Sequence, residues 1–175
     1  MRLSIRKPGN KRSLAAAVVF AAAAGSACIY GFAGGGLPSH IRTVAILPFD
    51  NQTPEPILTQ EVSDAVRAAL QNRLGLRPAS EATADALVRG AILRYEPDIP
   101  LSVQPGRAGE VQVTARRVQI TLRVEIIDQT VGRLLWERAS LTVDGEYEPP
   151  REDEGRRKAL DKLVNDIVDG AQSQW

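Results

Sequence analysis

The chain has 175 residues, 43% hydrophobic and 25% charged. These are ordinary globular values, which exclude disordered, collagen-like and multiply membrane-spanning classes. Once the N-terminus is set aside, that length holds one core, so one domain and one function are expected. The formal charge is +1, from 22 basic and 21 acidic residues, but the basic groups are unevenly spread.

Arg2, Arg6, Lys7, Lys11 and Arg12 precede an uncharged run over residues 14–24. A basic head followed by 11 apolar or small residues has the form of an export signal. It falls short of the ~20 residues that cross a bilayer as a helix. Extended through Ile29, the run could instead serve as an uncleaved anchor, and either form places the remaining chain outside the cytoplasm. Gly25-Ser26-Ala27 lead into Cys28, the sole cysteine. With no internal partner it makes no intrachain disulfide, which leaves an intermolecular bridge, an idle thiol or modification. Its position favours modification, because the segment resembles a bacterial lipobox, whose cysteine is lipidated and becomes the first mature residue. It departs from that pattern at Gly25, where Leu is usual, and ordinary signal cleavage giving a soluble periplasmic protein is the alternative. Without residues 1–27 the chain keeps 17 basic against 21 acidic residues, a formal −4. There is neither a basic surplus nor a basic block, so nucleic acid is not an expected partner.

Residues 28–40 are glycine-rich and read as a tether. The glycine cluster precedes the first strand instead of joining a strand to a helix, so it lacks the setting of a phosphate-binding loop. Residues 42–49 are nearly all apolar and β-branched, as in a central strand covered on both faces. Asn51 or Thr53 is placed to cap a helix that starts near Pro56, carries Leu58, Val62, Ala65, Val66, Ala69 and Leu70 on one stripe, and stops at Gly75. Residues 86–95 suggest a second strand, with continuation of the preceding Ala-rich stretch as helix the alternative, and Pro97, Pro100, Pro105, Gly106 and Gly109 mark a long, flexible loop. Val118, Ile120, Leu122, Val124 and Ile126 alternate with Arg117, Gln119, Thr121, Arg123 and Glu125, a strand with one buried and one wet face. Val111, Val113 and Ala115 hold the opposite phase, which predicts a bulge near Arg116. A turn over residues 128–132 leads into an antiparallel partner with Leu135, Ala139, Leu141 and Val143 inward and Trp136, Arg138, Ser140 and Thr142 outward. A last helix spans residues 153–168, with acids at its positive end and Gly170 as its stop. The order β-α-β-β-β-α predicts an α+β two-layer sandwich, two helices packed on one face of a mixed four-stranded sheet. The divisions are a signal peptide over 1–27, a tether over 28–40 and a single domain over 41–175.

Chemistry for catalysis is sparse. His40, the only histidine, reads as solvated beside the tether, so neither a histidine triad nor a multi-histidine metal site is expected. Asp144, Glu146, Glu148, Glu152, Asp153 and Glu154 surround a proline-containing connection and a helix start, where they serve solubility and the helix dipole. A small hydrolase using them is the enzymatic alternative. No catalytic residue, cofactor or metal is assigned. The polar sheet face with Arg117, Arg123, Arg138 and Trp136 is the candidate contact surface. Guanidinium groups match phosphate oxygens and an aromatic can cover acyl or sugar surface; a merely solvated face is the other reading.

The stretch Cys28-Ile29-Tyr30-Gly31-Phe32 through Pro38, then His40-Ile41-Arg42-Thr43-Val44-Ala45-Ile46 and Phe49-Asp50-Asn51-Gln52-Thr53-Pro54, resembles the lipopolysaccharide-assembly lipoprotein family LptE in its versions outside the proteobacteria. The order of downstream elements agrees. This resemblance implies a non-enzymatic outer-membrane lipoprotein, on the periplasmic face, that plugs and helps assemble the β-barrel LptD and presents lipopolysaccharide to it. Only Cys28, as the lipid-attachment site, carries over residue by residue. The strand Val44-Ala45-Ile46-Leu47-Pro48-Phe49 with Asn51 and Thr53 also resembles envelope lipoproteins that activate cell-wall synthases or serve curli secretion, which is the alternative function.

Overall fold

The computed structural model describes residues 37–105 and 111–173. The signal segment, Cys28, most of the tether and the glycines at 106 and 109 lie outside the described residues. In chain order the elements are β1 (Thr43–Ile46), β2 (Asp50–Asn51), α1 (Ile57–Leu74), β3 (Arg77–Pro78), β4 (Ala86–Pro105), β5 (Val111–Asp128), β6 (Arg133–Tyr147) and α2 (Glu152–Ser173). The sheet is mixed and runs β3-β1-β4-β5-β6, with β2 also paired to β4. β1 and β2 lie parallel to β4, whereas β4, β5 and β6 form an antiparallel meander. Six strands therefore replace the expected four. The two extra ones, β2 and β3, have two residues each, too few to leave a periodic signal.

α1 forms where its stripe required it. Leu58, Val62, Val66 and Leu70 are fully buried, each contributing about 2 kcal/mol of transfer free energy. Gly75 ends the helix in the left-handed conformation at φ 67° and donates its N–H to Gln71 O. Asn51 and Thr53 do not cap it. Pro56 occupies the cap position without a side-chain bond, while Asn51 Oδ1 accepts Thr53 N–H and Oγ1–H and Asn51 Nδ2 donates to Glu55 O. Those polar groups hold the loop instead. Leu160, Leu163, Ile167 and Ala171 of α2 join the α1 stripe and the inner sheet residues in one core, so both helices cover the same face.

Four expectations change. β1 is second from the sheet edge, not central, because only β3 lies beyond it. The proline segment belongs to β4, which pairs with β5 as far as Pro105. It tolerates proline because residues 93–105 have no second neighbour and because register shifts fall between Glu96 and Ile99 and between Pro100 and Ser102. Those shifts flank the Pro100↔Arg116 pair, so the irregularity expected near Arg116 lies mainly on the partner strand. α2 continues past Gly170, which is buried because its missing Cβ makes room for the Trp136 indole. In β6, Leu134 pairs with Ile127 and Trp136 with Ile126, so Leu135 is an extra residue that shifts the phase by one. Trp136 thereby turns from the outer to the helix-covered face and is 3% exposed.

α2 crosses β6 at two facing glycines, Gly145 and Gly155. A Cβ on Gly145 would collide with the Gly155 carbonyl, and one on Gly155 with Tyr147 and Val118. Among the described residues no further strand pairs with the far edge of β6.

Candidate functional site

The sheet face away from the helices has to supply any site, since its rows follow from strand register. Successive cross-strand partners are Arg89, Glu125 and Glu137; then Ala91 with Arg123; then Arg94, Thr121 and Thr142; then Glu96, Gln119 and Asp144. Paired residues point to the same side, so charge and hydroxyl collect on this surface. Two neighbouring shallow depressions result. One of about 330 Å³ is lined by Leu93, Arg94, Glu96, Gln119, Thr121, Ser140 and Thr142. The other, of about 310 Å³, is lined by Arg89, Gly90, Arg123 and Glu125.

The cations here differ in how they are engaged. Arg89 Nε donates to Glu125 Oε2 at 2.7 Å, and Arg94 lies 3.9 Å from Glu96 with its side chain 72% exposed. Arg123 is exposed and makes no ion pair among the described residues. Thr121 and Thr142 share a hydroxyl hydrogen bond at 3.1 Å. Guanidinium groups beside hydroxyls can take phosphate and sugar oxygens, and the open shape admits a large amphiphile or a protein surface before it admits an enclosed small substrate.

The four residues singled out from sequence separate. Arg123 stands on the open face. Arg117 also does, but it is held between Asp144 at 3.6 Å and Glu146 at 3.5 Å. Trp136 has left that face for the core. Arg138 pairs with Val124 and places its guanidinium carbon 5.4 Å from the Trp136 ring centre, a cation–π contact at the β6 edge. Arg89 and Arg94 were missed because their strand reads as a mixed pattern; the spacing of Leu87, Arg89 and Ala91 was the available signal. Cys28 lies outside the described residues.

His40 is more than solvated. Its Nε2 lies 2.7 Å from Oδ2 of Asp128, whose side chain has no exposed surface. Burial pushes the Asp128 pKa up, but hydrogen bonds from Thr130 and His40 outweigh it and hold the carboxyl below its usual range. Asp85 is also held low, first by the Arg42 backbone N–H and then by the Thr43 hydroxyl and N–H. These acids pin the chain's entry into the sheet. Among the described residues no three His, Cys, Asp or Glu side chains are grouped to hold a metal ion.

The acids of the hydrolase alternative face cations. Asp144 accepts Lys162 at 3.0 Å, Asp153 accepts Arg157 at 3.0 Å, and Arg151 bridges Glu148 and Glu154. Glu152 accepts both Tyr95 Oη–H at 2.5 Å and Arg156 Nη1–H at 2.8 Å, while Arg156 Nε reaches Glu61 on α1 at 3.1 Å. Burial, then the Glu152 bond, raises the Tyr95 pKa. This buttress ties β4 to both helices. Among the described residues no helix is long and apolar enough to cross a membrane.

A family model described as LptE, lipopolysaccharide-assembly, matches residues 41–172. No curated protein sequence matches the chain. Among solved structures, protein XCC0632 from Xanthomonas campestris is similar at TM-score 0.54 and 14% identity, covering 75% of this chain and 84% of that one. A PelC dodecamer subunit from Paraburkholderia phytofirmans is similar at TM-score 0.52 and 14% identity, covering 79% and 95%. At such identities the likeness is one of fold.

Proposed function

Because the chain belongs to the LptE lipopolysaccharide-assembly family, we propose that it is an outer-membrane lipoprotein, anchored through Cys28, that partners an LptD-like β-barrel in moving lipopolysaccharide to the cell surface. The family is non-enzymatic, so the role is binding and assembly. The observation that carries the reading to particular residues is the uncovered sheet face with its two adjoining depressions around Arg94 and around Arg89 and Arg123. Lipid phosphates or sugars would meet Arg123 first, since that guanidinium is the least engaged. Arg117 would contribute only by exchanging its acidic partners. Arg138, over Trp136, would offer a contact to the barrel at the β6 edge.

The test is affinity purification of the tagged protein from gently solubilised outer membranes, with mass spectrometry of partners and of the N-terminal peptide. Recovery of an LptD-like barrel, lipopolysaccharide and a lipidated Cys28 is expected. Arg94→Glu with Arg123→Glu should lower co-purified lipopolysaccharide several-fold. Recovery of a cell-wall synthase or a secretion channel in place of the barrel would overturn the reading.

A further inference from the structure

The end of the sheet where the chain enters the domain carries a surface separate from the arginine depressions. Leu37 packs against the core and His40 bonds Asp128, so the described chain enters the domain at this end. On the open face here, Ala45, Leu87, Ile127 and Leu134 are successive cross-strand partners, an apolar row across β1, β4, β5 and β6 in which Ala45 is buried, Leu87 and Ile127 are half-buried and Leu134 is exposed. The row ends at exposed aliphatic groups: Leu134 is 47% exposed and Val131, in the β5–β6 turn, is 66% exposed. Arg42, Arg77 and Arg133 are exposed at the same end. Of the carboxylates beside them, Glu81 is exposed, Asp85 accepts three hydrogen bonds and Asp128 is covered.

Exposed aliphatic groups flanked by arginines suit a bilayer interface. There the aliphatic tips enter the acyl boundary and guanidinium groups meet lipid phosphates. The thirteen residues from Cys28 to His40 reach at most ~45 Å, which keeps this end close to the membrane that holds the anchor. We propose that the β5–β6 turn and the exposed Leu134 end of the apolar row dock on that bilayer, so that the domain is held at two points and its arginine depressions face a fixed direction. The orientation rests on Cys28 being the anchor, whereas the affinity of the surface for lipid does not.

The test is flotation of the full chain carrying Cys28→Ser with vesicles of phosphatidylethanolamine and about one-quarter phosphatidylglycerol. Co-flotation is expected, and Val131→Asp with Leu134→Asp should cut the bound fraction at least about fivefold with an unchanged melting temperature. Arg77→Glu should weaken binding about twofold at low salt and have less effect at high salt. No co-flotation of Cys28→Ser, or a double variant that floats like its parent, would overturn the proposal. So would sedimentation showing that Val131 and Leu134 instead join two copies of the chain. The mass of the wild-type Cys28 peptide tests the anchor separately. An unmodified cysteine removes the anchor and with it the orientation, while flotation still decides the lipid surface.

Discussion

Gly155 is a residue whose effect runs against helix propensity. In an exposed helix, Gly→Ala gains about 1 kcal/mol, yet here the added methyl would meet Tyr147 and Val118. Gly155→Ala is therefore expected to destabilise by roughly 1–3 kcal/mol, measured by urea denaturation; a stabilised variant would mean that the helix is not seated so closely. At the other end of the sheet, Asp85 and Asp128 both have lowered pKa values. Each contributes stability that is fully present above the unfolded value of about 3.9 and is lost as pH falls through the lower folded value. Stability should thus decline below about pH 4, and Asp85→Asn, which keeps an acceptor but removes the titration, should flatten that decline. None of this was legible beforehand. Gly170 reads as a helix stop and His40 as solvated because neither the indole nor the buried carboxylate that meets it is near in sequence.

Single elements divide between clear and hidden. α1 and residues 118–126 of β5 are plain in the sequence because one face of each is buried throughout, so periodicity reports packing directly. β6 is not, since two extra residues interrupt its period: Leu135, and one more between the pairs Val124↔Arg138 and Leu122↔Leu141. That is why Trp136 was expected on the wet face beside Arg123. β4 is obscured differently, by prolines that signal a loop but are harmless on a strand with one open side. The buttress between elements carries its own expectation. Arg156 has a side chain 16% exposed and two carboxylate partners on different helices, whereas Arg157 is 69% exposed with one partner a turn away. Arg156→Ala should cost on the order of 1–3 kcal/mol, and Arg157→Ala within about 0.5 kcal/mol, in the same denaturation series. Equal costs would show that Arg156 does not couple the helices.

For the whole molecule, the layer order and the family were legible in advance, because strand and helix faces must be buried against each other in few ways and because the opening motif is distinctive. The candidate surface was legible only in part: Arg123 stayed where alternation put it, while the register of β4 and β6 decided the rest. The anchor gives a prediction at this scale. A triacylated cysteine binds far more stably than the marginal hold of one chain, so Cys28→Ser should leave only the weaker, salt-sensitive hold of the sheet-end surface; a high-salt wash should then move most of the protein to the soluble fraction, and unchanged retention after that wash would count against the anchor. β3 offers only two residues, including Pro78, and the open side of β4 is interrupted by Pro97, Pro100 and Pro105, which have no N–H to give. Among the described residues β6, with 15 residues and no proline, is the one long edge that can take another strand. Two copies can meet edge to edge there, but among the described residues the pair then presents no second long edge, so the growing chain of subunits that builds a fibre stops at two.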